Sequence, residues 1–262
     1  MTATETLTQV FVVASYEIRK YLRSRRLLGV LVIIALVVGL ILGLPPALGR
    51  SYSSDANRFV GTFAVFTEIL VILCGTLFAA DALVSEHEKR TGYFLFPNPV
   101  LRETIVIGKL LASLAASAAI ILLYYLAATI SAGIVTGHVT WEIGLSAAYA
   151  LAYMACVVGV AFLLSAVLKG TITATVLTFF LFFLLFTIVS VALSAGGVQP
   201  WFIPSAASGI IGDVLTPPST PPPPAPPPYI PDVATSLAVF AVYFAVSAIL
   251  ATVLFRQREL KS

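Results

Sequence analysis

The side chains in this 262-residue sequence that could do chemistry are few, and they are not arranged for catalysis. A phosphate-binding loop needs G-x-x-x-x-G-K-[ST], in which backbone N–H groups and a lysine cradle the phosphates. Here Gly108-Lys109 is followed by Leu110 and lacks the upstream glycine. Neither H-E-x-x-H nor G-x-S-x-G occurs. The only histidines, His87 and His138, form no metal-ligand spacing with Cys74 and Cys156. Both cysteines fall inside apolar runs, so they read as small packing residues rather than a disulfide pair. The chain is therefore expected not to be an enzyme, and to hold no cofactor or metal of its own.

Two features remain. Glu68 sits near the middle of the apolar run Phe59–Ala80, where a charge costs roughly 3 kcal/mol on insertion scales. The twelve Leu, Ile, Val and Phe residues of that run return about 4–7 kcal/mol, so the segment still inserts with Glu68 facing protein or water. It either lines a substrate path or proton-linked site, or is a protonated or hydrogen-bonded carboxyl at a helix contact. The second feature is SEHEKRTGYFLFPNPVLRETIVIGKL, dense in charge at Glu86, Glu88, Lys89, Arg90, Arg102 and Glu103. It turns abruptly apolar from Tyr93 to Phe96 and is broken by Pro97 and Pro99. An apolar knob inside a charged rim has the character of a docking surface.

The elements that must position these residues are membrane helices. The chain is 59% hydrophobic and 10% charged, with mean hydropathy +1.02, against about 25% charged residues in soluble domains. Its net charge of +3 gives no reason to expect a nucleic-acid partner. A span needs roughly 20 mainly apolar residues. Suitable runs lie at Leu27–Leu44, Phe59–Ala80, Ile105–Val135, Ile143–Leu168, Ile172–Leu193 and Val233–Phe255. Pro45-Pro46 is expected to end the first sharply. The third is too long for a straight span, so it is expected to begin in the cytoplasm with Lys109 snorkelling. Lys169-Gly170 divides the fourth from the fifth.

Orientation follows from Lys and Arg placement. Arg19, Lys20, Arg23, Arg25 and Arg26 precede the first run, and Lys89, Arg90, Arg102 and Lys109 follow the second. Lys169, Arg256, Arg258 and Lys261 complete thirteen on one side, against Arg50 and Arg58 on the other. Both termini are thus expected in the cytoplasm, which requires an even number of spans and supports six. The leading 26 residues, with Leu7, Val10, Phe11, Ala14, Ile18, Tyr21 and Leu22 at helical spacing, predict an amphipathic interfacial helix; the alternative is an extension of the first span.

Before the last span, the interrupted apolar stretch Gly196–Leu215 predicts a re-entrant or interfacial hairpin, with Trp201 at headgroup level. The run from Thr216 to Pro231 follows, a stiff polyproline spacer able to reach on the order of 45 Å. The expected class is an all-α membrane protein in which residues 1–262 form one transmembrane domain. Residues 1–26 would be the interfacial helix, 81–104 the cytoplasmic loop and 195–232 the external hairpin with its Pro-rich loop. Gly39–Gly43 in the first run, and Ala112, Ala116, Ala119, Ser113 and Ser117 in the third, read first as packing positions and second as a dimer seam.

At the charged loop the sequence resembles the ABC-2 type permeases, the membrane subunits of many ABC exporters. Their first cytoplasmic loop carries an acidic–basic run, Gly-Thr, an apolar turn, Pro-Val-x-Arg and then Ile-Val-x-Gly-Lys. Thr91, Pro99, Val100, Arg102, Ile105, Val106, Gly108 and Lys109 fit without a gap; the glycine departs, falling at Gly92 after the threonine. YEIRKYLRSRRLLGVLV at the start and FRQREL at the end are similar too.

The resemblance implies the permease subunit of an ATP-driven exporter in the plasma membrane. Such a subunit forms the substrate pathway as a dimer and binds a cytoplasmic pair of ABC ATPase subunits that hold ATP and Mg. It also implies that the loop bearing Glu86, Glu88, Arg90, Thr91, Tyr93, Phe94, Pro99 and Arg102 is the coupling helix seated in an ATPase groove. A secondary transporter or channel would instead show charges in several spans and an inverted repeat, neither of which is seen. A membrane anchor for a soluble partner would leave Glu68 and the hairpin unexplained.

Overall fold

Inside a bilayer each backbone N–H and C=O must find its partner within the protein, a condition met here by helices. A computed structural model describes residues 3–84, 102–218 and 229–258, and no strand occurs among them. The helices are α1 (Ala3–Leu22), α2 (Arg25–Ala47), α3 (Ala56–Phe78), α4 (Arg102–Thr136), α5 (Glu142–Val167) and α6 (Thr171–Ala195). Two single turns follow, α7 (Pro204–Ala207) and α8 (Ile210–Asp213), then α9 (Val233–Arg258). Six of them, α2 to α6 and α9, are long and apolar enough to cross a membrane. This matches the six runs read from the sequence.

Local chemistry sets the boundaries. Between α1 and α2, Ser24 takes an extended conformation and its Oγ accepts the N–H of Leu27, so α1 is a separate helix and not an extension of the first span. The C-terminal end of α2 departs from expectation, because the helix runs through Pro45 and Pro46 to Ala47. Proline lacks an N–H, so the carbonyls of Ile41 and Leu42 lose their partners four residues on. The Tyr52 hydroxyl folds back and donates to the Leu42 carbonyl, and the Leu48 and Arg50 amides close onto Leu44 and Pro45. With that cap the prolines occupy the last turn without breaking the helix earlier.

At 1.5 Å per residue the 35 residues of α4 extend about 52 Å, beyond a hydrocarbon core of roughly 30 Å. Helix α6 contains a π-helical turn at Leu181–Leu185, where Phe182 is buried and packs edge-on to Phe186 at 5.2 Å.

The core lies among α3, α4 and α5. It is filled by Phe63, Phe78, Tyr124 and Tyr153, all essentially without exposure. Helix α5 contacts α3, α4, α6 and α9. Of its apolar window 67% is buried, against 17% for α2 and 11% for α6, so these two spans lie at the periphery. Gly39 and Gly43 of α2 have nothing within 4 Å of where a side chain would begin. The sequence placed that pair in packing first; within this chain they pack nothing. Cys74 and Cys156 are free and buried, as packing residues are.

The two turns α7 and α8 pack into the helix bundle. Ile203, Pro204, Ala207, Ile210 and Ile211 are buried against neighbouring spans, while Trp201 remains 53% exposed. The Tyr125 hydroxyl meets Ser146 Oγ at 2.8 Å, and Ser146 donates to the Ile211 carbonyl at 2.7 Å, which ties the hairpin to α4 and α5. Most of the proline-rich stretch lies outside the described residues.

Candidate functional site

Glu86, Glu88, Arg90, Thr91, Tyr93, Phe94 and Pro99 lie outside the described residues, and Arg102 opens α4. What the structure defines are the two roots of the loop that carries them. Upstream, the turn after α3 is fixed from two sides. Arg26 of α2 donates to the Asp81 carboxylate and, at 3.1 Å, to the Leu77 carbonyl. The amides of Leu83 and Val84 both donate to Ser165 Oγ near the end of α5, at 2.9 and 3.1 Å. Residues Ala82, Leu83 and Val84 are fully buried, so these amides needed partners.

Downstream, the root is clasped to α1. The stripe of α1 turned into the protein is Val10, Ala14, Glu17 and Tyr21. Glu17 pairs with Lys109 Nζ of α4 at 2.5 Å and with Lys20 at 2.9 Å. The Lys109 side chain is only 3% exposed, so it does not snorkel to water as expected; it is neutralised inside the protein. A buried ammonium is retained only when paired, and Glu17 supplies the charge. Burial alone would raise the Glu17 carboxyl, but the ammonium groups of Lys109 and Lys20 outweigh it and hold it below the usual carboxylate range.

The preceding residue explains the spacing. A side chain begun on Gly108 would lie 2.8 Å from Val13 Cβ and 3.0 Å from the Val10 carbonyl, so even alanine would push α1 away from α4. Glycine permits the approach and lysine secures it. One turn on, Ser113 Oγ donates to the Phe78 carbonyl at 2.8 Å, and the Tyr21 hydroxyl does the same at 2.8 Å. The end of α3 is thereby stitched to both α1 and α4. Burial drives the Tyr21 hydroxyl's pKa up, so it stays a neutral donor.

Sequence reasoning found Gly108 and Lys109 but missed Glu17, which pairs with Lys109, and the Arg26–Asp81 pair and Ser165 that hold the other root. For Glu17 a signal existed: it falls on the helical stripe of Val10, Ala14 and Tyr21, where an acid is out of place. Nothing in the sequence pairs Arg26 with Asp81.

Glu68 lies apart from the roots. Its carboxyl is partly buried beside the hydroxyls of Ser208, between the two hairpin turns, and Tyr153 of α5. The Tyr153 hydroxyl is fully buried and faces Glu68 without completing a well-formed hydrogen bond. Glu68 is thus a polar group at the contact of α3, α5 and the hairpin, turned toward protein rather than lipid.

Comparison with known proteins gives one finding. The family model described as ABC-2 family transporter protein matches residues 11–201, from within α1 to the hairpin, and so takes in both roots and Glu68. No curated protein matches the chain. With six apolar spans, an all-helical fold and a match over well more than half its length, this chain belongs to the ABC-2 family of transporter membrane proteins.

Proposed function

We propose that the chain is the permease subunit of an ATP-driven exporter. It works as a homodimer and is coupled through the α3–α4 loop to two cytoplasmic ATPase subunits, which hold ATP and Mg. The observation that carries this reading is that both roots of the loop are held by polar contacts to other helices, the upstream one to α2 and α5 and the downstream one, on α4, to α1. A loop serving only as a connection has no need of such anchorage. One that relays a partner's state must move as a unit with the spans, so that differing contacts in two partner states shift the population of membrane conformations.

The thirteen basic residues on the side of the termini support a cytoplasmic setting for that loop and a multi-pass protein of the plasma membrane. The open faces of α2 and α6, with Gly39 and Gly43 uncovered, support a seam between two copies. The test is purification of the full chain from its native membrane. One ATPase subunit per permease copy is the expected result, and a chain that transports without any ATPase would overturn the proposal.

Glu68 is read as part of the substrate pathway beneath the hairpin. Glu68→Gln keeps the shape and hydrogen bonding while removing the charge. It is expected to leave assembly intact and lower transport severalfold. Unchanged transport in vesicles would remove Glu68 from the pathway.

A further inference from the structure

On the face opposite the termini, α2 and α3 diverge around a cavity of about 410 Å³. That is the size of a small-molecule site, for which roughly 300–1,000 Å³ is usual. Its walls are apolar, formed by Leu40 and Leu44 of α2 and Phe59 and Phe66 of α3, while Arg50 and Arg58 stand among its lining residues. Leu40, Leu44 and Phe66 are exposed, so the cavity opens sideways toward lipid.

The two arginines are in unfavourable places for any purely structural purpose. They are the only Lys or Arg on this face, since residues 137–141 and 196–232 contain none. Arg58 stands in the first turn of α3, where the helix dipole disfavours a cation. Neither guanidinium has an ion-pair partner among the described residues. The nearest acid in sequence, Asp55, turns its Oδ1 to the backbone amides of Asn57 and Arg58 as a helix cap. The Tyr52 hydroxyl at the same rim is committed to the Leu42 carbonyl.

Two unpaired guanidiniums above an apolar slot match one kind of molecule: an acyl chain under an anionic head, to which arginine gives charge-assisted and often bidentate hydrogen bonds. We infer that the cavity between α2 and α3 binds an anionic phospholipid of the leaflet opposite the termini, with the headgroup held by Arg50 and Arg58 and one chain lying between Leu44 and Phe66.

The experiment places a fluorophore on Thr62→Cys, an exposed position on the cavity wall. The full chain is reconstituted in phosphatidylcholine vesicles, and brominated phosphatidylglycerol is added as quencher. Half-quenching is expected at a mole fraction roughly tenfold or more below that needed when Arg50→Gln and Arg58→Gln are added, since each basic residue near a membrane surface strengthens anionic-lipid binding several-fold. Brominated phosphatidylcholine with the same chains should quench both proteins alike. If the double variant does not fold, each single substitution is read alone, and roughly a threefold shift is expected. Equal quenching by the two lipids in the parent protein overturns the proposal. So does a preference untouched by the arginine substitutions, or displacement of the lipid by inorganic phosphate regardless of its chain. A loss of dimer with no change in quenching also overturns it, because a second copy would then be what covers the cavity.

Discussion

Glu17→Leu is expected to destabilise the protein by about 3–5 kcal/mol, the usual cost of removing one partner from a buried ion pair. The loss comes less from the attraction forgone than from the Lys109 ammonium, which at 3% exposure is deprived of the carboxylate beside it. Adding Lys109→Leu to the same chain should recover most of it, because two apolar side chains at that contact need no neutralisation. Unfolding free energies in mixed micelles, measured for both single variants and the double, check this. A cost below about 1 kcal/mol for Glu17→Leu would mean that water reaches the pair and the clasp is weak.

The pH dependence has a definite sign. The Glu17 carboxyl titrates lower in the folded protein than in the unfolded chain, so its contribution is complete above the ordinary carboxylate range. It is lost as pH falls through that depressed value. Acid should therefore destabilise the parent protein more than the double leucine variant.

The second large effect concerns the partner. If the α3–α4 loop is the docking surface proposed, Tyr93 and Phe94 are its apolar anchors, and buried aromatics dominate interfaces of that kind. Tyr93→Ala with Phe94→Ala should weaken ATPase association by about 500-fold or more, from roughly 2 kcal/mol or more per anchor. The ATPase should then no longer co-purify. Glu86→Gln and Glu88→Gln, as charges in the rim, should each cost less than about tenfold and act mainly on the association rate. Full co-purification of the aromatic double variant would place the docking surface elsewhere.

What the sequence disclosed was whatever depends on one segment at a time. Six apolar runs became six helices because span length and hydropathy are set by the bilayer rather than by neighbours. The division at Lys169-Gly170 holds for the same reason: α5 ends at Val167 and α6 begins at Thr171. Features that depend on two segments were not legible. Pro45-Pro46 reads as a stop until Tyr52, ten residues from Leu42, takes the orphaned carbonyl. Lys109 reads as a snorkelling side chain until Glu17, 92 residues earlier, is seen to meet it. The amphipathic character of α1 was readable, but not which face turns inward. Leu7, Phe11 and Leu22, counted on the apolar stripe, are exposed, whereas the charged Glu17 is buried.

The arrangement of the two roots has a mechanical consequence. The upstream root is tied to α2 and α5, and just above it the end of α3 to α1 and α4; the downstream root, the start of α4, is clasped to α1 alone. If the loop bears a partner as proposed, a displacement applied to it reaches the bundle at two separated points, and α2 and α5 feel only the upstream one. Unequal displacement of those points would be a couple, which tends to turn the helices against one another instead of lifting the bundle as one body. For a protein embedded in a fluid sheet, rotation about an axis near the membrane plane is the motion that opens one end of a passage while narrowing the other.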